Sequence, residues 1–443
     1  MTHLISHCNR FALPLLLVVS TCAWADDAKP MNPEYPDYYY EGKADAQSKG
    51  IDWVNVIAVS QPAYGSNIKG DVTVKFSAPG MTHAKASCWQ QPTADKPDPF
   101  GHDVDVAPKI QLDGSGNGTF LFPSDQFPNG PITLRIYAKD DGKKQDTCEV
   151  QLYNQGGVAW NQGIPKTDPP GAAGMKLVFA DDFDKTPSIT HDGIGATYQG
   201  HKTGGGDFSG WPFTSPDETN HPNPYSQVGT YLRIHASKQA DGNSSSGLIS
   251  SAHEDGTGVF AGAPCYFECR FLAQSGPGTW PAFWLLSKNC LSKDDADKKL
   301  GCDELDIIEA YGGQGQGNPN FPGYAVTSHY WGQKDANGVQ LKDDHADIGI
   351  MDLGGKSTWS TTFHTYGIKI TDTECTYYFD DIPAFTYPTK GLSKTQPFFF
   401  LINYAIGGIS GWKINLDRYG NASDMWVDYV RVYQGTPSAT AKN

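Results

Sequence analysis

Two long stretches of the chain alternate between apolar and polar residues with the period of two that is typical of β-strands. In the first stretch, Val72, Val74 and Phe76 alternate with polar neighbours, and turn signals such as Asp113-Gly114 separate such runs. Successive side chains of a strand point to opposite faces of a sheet, so this pattern predicts half-buried strands. No sustained helical period appears, and we therefore expect an all-β protein.

Runs rich in Gly and Pro divide the chain into segments. The expected segments, in order, are a signal peptide (1–25), an irregular N-terminal arm (26–50), a small immunoglobulin-like β-sandwich (51–155), a linker (156–174), a second β domain (175–434) and a disordered tail (435–443). The first β domain has the length and the short strands of an immunoglobulin-like sandwich, and nothing in it marks a catalytic site. Its role is left open between a carbohydrate-binding module, a spacer and a stabilising partner.

Composition and charge exclude several classes of function. Gly (49 residues) and Pro (30 residues) are abundant, which disfavours a helical bundle or a coiled coil. The net charge is -15, so neither a nucleic acid nor an anionic membrane is an expected partner, because phosphate binding requires a basic surface. The apolar run Phe11–Val19, followed by Ala23-Trp24-Ala25, indicates an export signal and is too short to span a bilayer. We expect a secreted or periplasmic monomer without a membrane span.

Cysteines in an exported protein are expected to pair where geometry allows. Cys88 and Cys148 both lie in the first β region, and we predict that they form a disulfide. Cys290 and Cys302 bracket a hydrophilic loop, which a second disulfide would fix. The pairing of the other cysteines is left open. The sequence has neither a Cys-x-x-Cys motif nor a His-rich cluster, so a structural zinc ion is not expected.

The segment 302–311 carries the clearest chemical signal, because Glu304, Asp306 and Glu309 alternate in it with aliphatic residues. The aliphatic residues require that one face of this strand be buried, which would crowd the acids on the other face. Like charges side by side on a strand repel each other. Such an arrangement stabilises no structure but suits a catalyst.

The spacing of the three acids requires an irregularity in the strand. In a regular strand Glu304 and Asp306 share a face, whereas Glu309 points to the opposite face. One β-bulge at Ile307-Ile308 would place all three acids in a row. The two Glu side chains could then lean together to roughly the 5 Å separation of a retaining glycosidase pair. Asp306 between them would raise the proton affinity of its neighbours.

This motif resembles that of glycoside hydrolase family 16, in the bulged form of its laminarinase, agarase and carrageenase branches. Other stretches that resemble the same family, in chain order, are Phe179–Asp184, Gly229–Ile234, Gly278–Leu286, His364–Ile368, Asn403–Gly408 and Trp426–Tyr433. The resemblance covers about 175–434. It implies a β-jelly-roll sandwich whose concave sheet holds a sugar chain in an open cleft.

The resemblance also implies roles for the three acids. Glu304 matches the nucleophile, Glu309 the acid/base and Asp306 the acid that assists the nucleophile. The implied activity is retaining endo-hydrolysis of a β-linked polysaccharide by double displacement, with β-1,3- or β-1,3-1,4-glucan as the expected substrate and no cofactor for catalysis. Agar-type or bacterial exopolysaccharide hydrolysis, glucan transglycosylation and non-catalytic glucan binding are the alternatives.

Trp280 and Trp284 are four residues apart on a predicted strand and therefore share a face. Phe283 and Leu285 have the opposite parity and suit the core. We expect the two tryptophans to face the cleft and to stack on pyranose rings, and the alternative is that both pack in the core.

Further site residues follow from the resemblance alone. His329 resembles the histidine that the family places near the acid/base, with an ordinary surface histidine as the alternative. Asn403 and Asn223 resemble subsite asparagines, although Asn is also a common turn residue. Leu248 stands where relatives often carry an arginine, so one subsite contact is missing or comes from elsewhere.

The resemblance finally implies a structural calcium ion. Its ligands would be Asp182, the Gly229 carbonyl and Asp428, which lie at matching motif positions. Oxygen ligands suit calcium. Ordinary surface acids are the alternative.

Overall fold

β-Strands make up most of the regular structure in the computed structural model of the chain. The described residues are 50–96, 101–294, 296, 299–313, 323–353, 357–411 and 413–436. The predicted signal peptide, nearly all of the arm 26–50 and most of the tail 435–443 lie outside these residues. The short 3-10 helices are Ser124–Gln126, Pro170–Ala172, Lys288–Leu291, Ile350–Leu353, Gly391–Lys394, Gly408–Ser410 and Asp417–Tyr419. Among the described residues, no helix has the length and apolar character needed to cross a membrane.

The first β region forms two sheets. The six-stranded sheet contains β1 (Asp52–Trp53), β9 (Lys144–Asn154), β8 (Gly130–Lys139), β5 (His83–Gln90) and β6 (His102–Ile110) in spatial order, with β3 (Asn67–Ile68) paired to β9. The three-stranded sheet contains β2 (Ala58–Gln61), β4 (Asp71–Ser77) and β7 (Asn117–Pro123). Val74 and Phe76 of β4 are buried while Lys75 between them is exposed, as the alternating pattern predicts. The immunoglobulin-like classification and the segment boundaries stay predictions.

The second β region forms two larger sheets. The nine-stranded sheet contains β13 (Tyr225–Val228), β14 (Tyr231–Lys238), β26 (Ala422–Gln434), β17 (Cys265–Ala273), β22 (His364–Ile370), β23 (Glu374–Phe379) and β24 (Ile382–Pro388), with β10 (Lys176–Asp181) on β26 and β15 (Ser244–Ser245) on β14. The eight-stranded sheet contains β11 (Ile189–Thr190), β12 (Tyr198–Gln199), β16 (Gly247–Ser250), β25 (Phe398–Ile406), β18 (Thr279–Ser287), β19 (Cys302–Glu309), β20 (Tyr324–Trp331) and β21 (Asp344–Ile348). The all-β sandwich architecture expected from the sequence is confirmed.

The core of the second region lies between these two sheets. Phe267 and Phe271 enter it from β17, and Phe283, Leu285 and Phe400 enter it from β18 and β25, all with no exposed surface. Burial of each such side chain contributes roughly 1.5–3 kcal/mol. The strand β19 lies between β18 and β20 in the eight-stranded sheet. Its backbone is therefore fixed by neighbouring strands on both sides.

One of the two predicted disulfides is present, and the prediction of the other is wrong. Cys290 and Cys302 are joined, with their Cα atoms 5.4 Å apart, and they fix the helix Lys288–Leu291 to the start of β19. Cys88 and Cys148 are both free and buried. They lie on β5 and β9, which are separated by β8 in the same sheet. Two strand spacings amount to about 9–10 Å, whereas a disulfide spans Cα atoms at most about 7 Å apart.

The first β region packs on the outer face of the nine-stranded sheet. Tyr64 donates a hydrogen bond to Asp424 of β26 at 2.8 Å, and Thr133 donates to the Ser360 carbonyl at 2.7 Å. Met425, the next residue on β26, points into the core, so Asp424 points away from it. The first region therefore lies on the sheet that does not contain the three acids.

The ion pair between Arg418 and Asp146 gives a test of this interface. The guanidinium lies 3.0 Å from the Asp146 carboxylate, whose side chain is 3% exposed. We expect Arg418→Met to lower the free energy of unfolding by about 2–4 kcal/mol, because it leaves a buried charge without its cation. Lys390→Met is the control, since its partner Asp344 and the lysine itself are both partly exposed, and its effect should stay below about 1 kcal/mol. Chemical denaturation measures both, and equal losses would contradict the interpretation.

Candidate active site

An extra residue in β19 brings the three acids onto one face of the sheet. Opposite β20, Asp306 pairs with Thr327 and Glu309 pairs with Ala325, so that three steps along β19 match two along β20. The register against β18 shifts at the same place. This is a β-bulge, which reverses the side-chain alternation beyond it. The bulge predicted from the spacing of the acids is confirmed.

The bulge buries the aliphatic residues of β19 and turns its acids toward a cavity. Glu304, Asp306 and Glu309 line this cavity, which has a volume of about 490 Å³. The aliphatic residues between the acids lie in the core and are at most 1% exposed; they are Leu305, Ile307 and Ile308. The structure therefore brings together the three acids on which the sequence analysis concentrated.

The two tryptophans of β18 lie on the cavity side of the sheet. Trp280 and Trp284 line the cavity, whereas Phe283 and Leu285 lie in the core between the sheets. Trp284 donates its indole N–H to the side-chain oxygen of Asn403 at 2.7 Å, and Asn403 also lines the cavity. The side-chain directions predicted from strand parity are thus observed, and the role of these residues in substrate binding stays a prediction.

Burial and a neighbouring charge set the proton affinity of Glu309. Its carboxylate accepts the indole N–H of Trp280 at 3.1 Å and a hydrogen bond from Tyr311. The rings of Trp280 and Tyr311 are stacked with centroids 5.7 Å apart. Burial, followed by the charge of Glu304, raises the pKa of Glu309 to about 7, although His329 and the two hydrogen bonds oppose the shift. Glu309 therefore holds a proton close to neutral pH.

The ionised form of Glu304 is more strongly stabilised than that of Glu309. Trp331 donates its indole N–H to Glu304 at 3.0 Å. Burial raises the pKa of Glu304, but the Trp331 hydrogen bond and the charges of His329 and Lys202 lower it again. The interactions with Trp331, His329 and Lys202 thus favour the ionised form of Glu304. The two glutamates face one cavity from different electrostatic surroundings.

Asp306 lies between the glutamates and next to His329. Burial, and after it the charges of Glu309 and Glu304, raises the pKa of Asp306 well above its usual range. His329 lies 3.5 Å from Asp306 through Nε2, and its Nδ1 lies 2.7 Å from Asp343. His329 is therefore held between two aspartates at the edge of the cavity, close to the acids as the resemblance implied.

The structure does not bring Asn223 to this cavity. Asn223 is exposed and precedes β13 of the nine-stranded sheet, where its side-chain oxygen accepts the backbone N–H of Tyr225 at 2.9 Å. Asn side chains commonly bond the backbone two residues later in turns. The turn interpretation of Asn223 is the one that this contact supports, and its role in a subsite stays a prediction.

The residues predicted as calcium ligands do not fit this ion. The Asp428 carboxylate accepts a backbone N–H and is paired with the guanidinium of Arg270. The Gly229 carbonyl accepts a hydrogen bond from Gln227. An ion between Asp182 and Asp428 would have to displace a guanidinium that already balances the charge of Asp428. Two of the three donors that the prediction requires, Gly229 and Asp428, are thus already used within the protein.

Several residues of the cavity were not identified from the sequence. Tyr311 and Trp331 each follow a predicted site residue by two positions, so strand parity could have revealed them. Lys202 and Phe208 also line the cavity. They come from the irregular segment between β12 and β13, where no period indicates which side chains point inward.

The sequence around this site is similar to that of known glycoside hydrolases. Residues 219–427, which contain all three acids, match the sequence model of glycosyl hydrolases family 16. The endo-1,3-1,4-beta-glycanase ExsH of Rhizobium meliloti (strain 1021) is 32% identical over 174 residues, which are 39% of this chain and 31% of ExsH. The endo-1,3-1,4-beta-glycanase EglC of the same organism is 29% identical over 223 residues, which are 48% of this chain and 40% of EglC.

The chain spans less than half the length of these two curated relatives. Among solved structures, the laminarinase from Flavobacterium sp. UMI-01 is 22% identical, with a TM-score of 0.42 and coverage of 58% of this chain and 100% of the laminarinase. The resemblance recognised in the sequence is confirmed at the level of the family.

The raised pKa of Glu309 predicts that this acid destabilises the fold at alkaline pH. A carboxyl group whose pKa rises from its ordinary value of 4.5 to about 7 on folding favours the folded state at low pH, and this contribution is lost as the pH rises through 7. Glu309→Gln should therefore be more stable than the unchanged protein at pH ~8, by on the order of 1–3 kcal/mol, with a smaller difference at pH ~5.

Free energies of unfolding at the two pH values measure this effect. The control is Glu374→Gln, which changes an exposed glutamate on the nine-stranded sheet and should show no pH-dependent gain. A Glu309→Gln variant that gains nothing between the two pH values would contradict the electrostatic interpretation of the site.

Proposed function

We propose that the chain is a retaining endo-glycoside hydrolase that cleaves β-1,3- or β-1,3-1,4-glucan. The observation that carries the proposal is the bulge in β19, which directs Glu304 and Glu309 into one cavity. Two carboxyl groups that flank one sugar bond are the apparatus of glycoside hydrolysis. The family match supports the same activity, and the two rhizobial relatives, both named endo-1,3-1,4-beta-glycanases, support the same class of glucan.

The different surroundings of the glutamates assign their roles. Glu309, with a pKa of about 7, carries a proton that it donates to the leaving glycosidic oxygen. Glu304 is stabilised as a carboxylate by Trp331, His329 and Lys202, and its oxygen attacks the anomeric carbon as the bond to the leaving oxygen breaks. Environments that separate the pKa values of two acids are how one site obtains both an acid and a nucleophile.

The second step reverses the roles of proton donor and acceptor. Glu309, now ionised, removes a proton from a water molecule, and the water oxygen attacks the anomeric carbon of the glycosyl-enzyme. The bond to Glu304 breaks, Glu304 leaves as a carboxylate and Glu309 regains its proton. Two inversions at the same carbon give net retention of configuration.

Asp306 assists this cycle as a neutral acid. Burial, and after it the charges of Glu309 and Glu304, raises the pKa of Asp306 and favours its neutral form. One of its oxygens lies within 4.8 Å of a Glu304 carboxylate oxygen. From there Asp306 acts on the nucleophile as its nearest acidic neighbour and favours its orientation during attack.

The cavity wall suits a neutral sugar chain. Trp280, Trp284, Trp331 and Phe208 present aromatic surface around the acids, and the apolar faces of pyranose rings stack on such surfaces. Lys202 is the only lysine or arginine among the described residues that line the cavity. One such cation does not neutralise a heavily sulfated chain, which supports an uncharged glucan.

Replacement of the nucleophile tests the proposal. We expect Glu304→Gln to lower the hydrolysis rate on laminarin and lichenan by at least about a thousandfold, because the neutral amide cannot form the glycosyl-enzyme. Asp347→Asn, an exposed change on β21, should leave the rate unchanged. Reducing-sugar release on these substrates, with agarose and carrageenan as comparisons, measures both variants. Undiminished hydrolysis by Glu304→Gln would contradict the assignment, and the substrate panel tests the glucan class separately.

The pH profile tests the role of Glu309. Activity should fall as the pH rises through about 7, because the acid loses the proton that the leaving group needs. Tyr311→Phe removes a hydrogen bond to the ionised carboxylate, so the pKa of Glu309 should rise and the alkaline limb of kcat/KM should move to higher pH by up to about one unit. Tyr378→Phe, on the nine-stranded sheet, is the matched control. A limb that stays in place or moves to lower pH in Tyr311→Phe would contradict the role.

A further inference from the structure

A second cluster of polar side chains lies beside the cavity and takes no part in the proposed hydrolysis. His191, His201 and Glu218 each offer one ligand atom, and these three atoms all lie within 4.8 Å of one another. His201 Nε2 is 3.0 Å from one oxygen of Glu218, and His191 Nδ1 is 3.6 Å from the other. The two imidazole centroids are 4.1 Å apart. Three good metal ligands thus converge on one point.

We propose that this cluster binds a divalent transition-metal ion of the zinc type. Two imidazole nitrogens and one carboxylate are a donor set that zinc sites use, with a water molecule as the fourth ligand. Bonds of about 2.0–2.2 Å place neighbouring ligands of a tetrahedral ion roughly 3.4 Å apart. The three ligand atoms of the cluster already lie within 4.8 Å of one another, so each pair has to close by at most about 1.4 Å to reach this value. Calcium would require more oxygen donors.

Neighbouring groups orient the proposed ligands. Glu218 accepts the backbone N–H of Ser215 at 2.7 Å and its hydroxyl at 3.2 Å. Asp217 accepts the backbone N–H of His191 at 3.0 Å and the Ser215 hydroxyl at 2.6 Å. Outer groups that hold a carboxylate or position a ligating histidine are characteristic of metal sites. The cluster is therefore oriented by the chain around it rather than formed by three independent surface side chains.

The ion would join segments that are separate in the sequence. His191 follows β11, His201 follows β12, and Glu218 lies in the irregular segment that leads to β13. The same segment carries Lys202 and Phe208 into the cavity of the acids. A cavity of about 240 Å³ is lined by His191, His201 and Lys202 together. A bound ion would fix this segment at the side of the candidate active site and would stabilise the folded chain.

A titration of the full chain with Zn²⁺ tests the proposal. Glu304, Asp306 and His329 also offer ligand atoms within 4.8 Å of one another, so all variants are made in a Glu304→Gln background, which removes one ligand of that other set. We expect calorimetry to show one bound Zn²⁺ with a Kd in the micromolar range or tighter, and Tm to rise by several degrees at saturating Zn²⁺. Neither measurement depends on hydrolysis, so the result stands apart from the proposed function.

Three variants decide whether the ion binds at this cluster. His191→Ala removes a ligand whose side chain is 57% exposed, so it should fold normally, and it should weaken Zn²⁺ binding at least tenfold and abolish the rise in Tm. Glu218→Gln should do the same. His345→Ala changes another exposed histidine, next to Asp347, and should bind Zn²⁺ as the background does. No binding by the background protein, or undiminished binding by His191→Ala and Glu218→Gln, would overturn the proposal.

Discussion

Three carboxyl groups on one face of a single strand repel one another, and the site depends on the packing that holds them there. The aliphatic residues of β19 are locked between the two large sheets, and their burial contributes roughly 1.5–3 kcal/mol each. This packing leaves the acids no direction other than the cavity once the bulge has reversed the alternation. Burial raises the pKa values of all three acids, and the repulsion adds to the shift at Asp306 and Glu309. The packing of the core thus holds Glu309 in surroundings where its pKa is about 7.

The two glutamates differ because their neighbours differ. Both accept an indole N–H, from Trp331 and from Trp280. Burial raises the pKa of both and the charge of His329 lowers both, but Glu304 has in addition the charge of Lys202, whereas the charge of Glu304 further raises the pKa of Glu309. One strand therefore supplies two identical side chains with different proton affinities. The difference arises from β18, from β20 and from the irregular segment after β12, and not from the motif itself.

The sequence predicted what depends on local alternation. The period of two located the strands, and the odd spacing of Glu304 and Glu309 required a bulge, which the structure contains. The same parity placed Trp280 and Trp284 on the cavity side. These features depend only on the order of residues within one strand, and the resemblance to the family added their expected roles.

Features that depend on which strands become neighbours could not be predicted in this way. Cys88 and Cys148 lie on strands separated by a third, so they cannot pair. Arg270 reaches Asp428 from an adjacent strand and uses the carboxylate that the calcium prediction required. The absence of a His-rich motif argued against zinc, yet His191 and His201 meet in space although the chain separates them by an irregular segment.

The claim that Glu304 is the nucleophile on the bulged strand is tested most directly by trapping the glycosyl-enzyme. The trapping reagent is a glucosyl donor with fluorine at carbon 2 and a good leaving group. The fluorine slows both the formation and the hydrolysis of the glycosyl-enzyme, whereas the good leaving group speeds its formation only, so the covalent species accumulates. Peptide mass spectrometry after digestion then identifies the modified residue. The account predicts one glycosyl unit on Glu304. An adduct on Glu309 or Asp306, or rapid turnover of a β-glucan with no adduct at all, would contradict it.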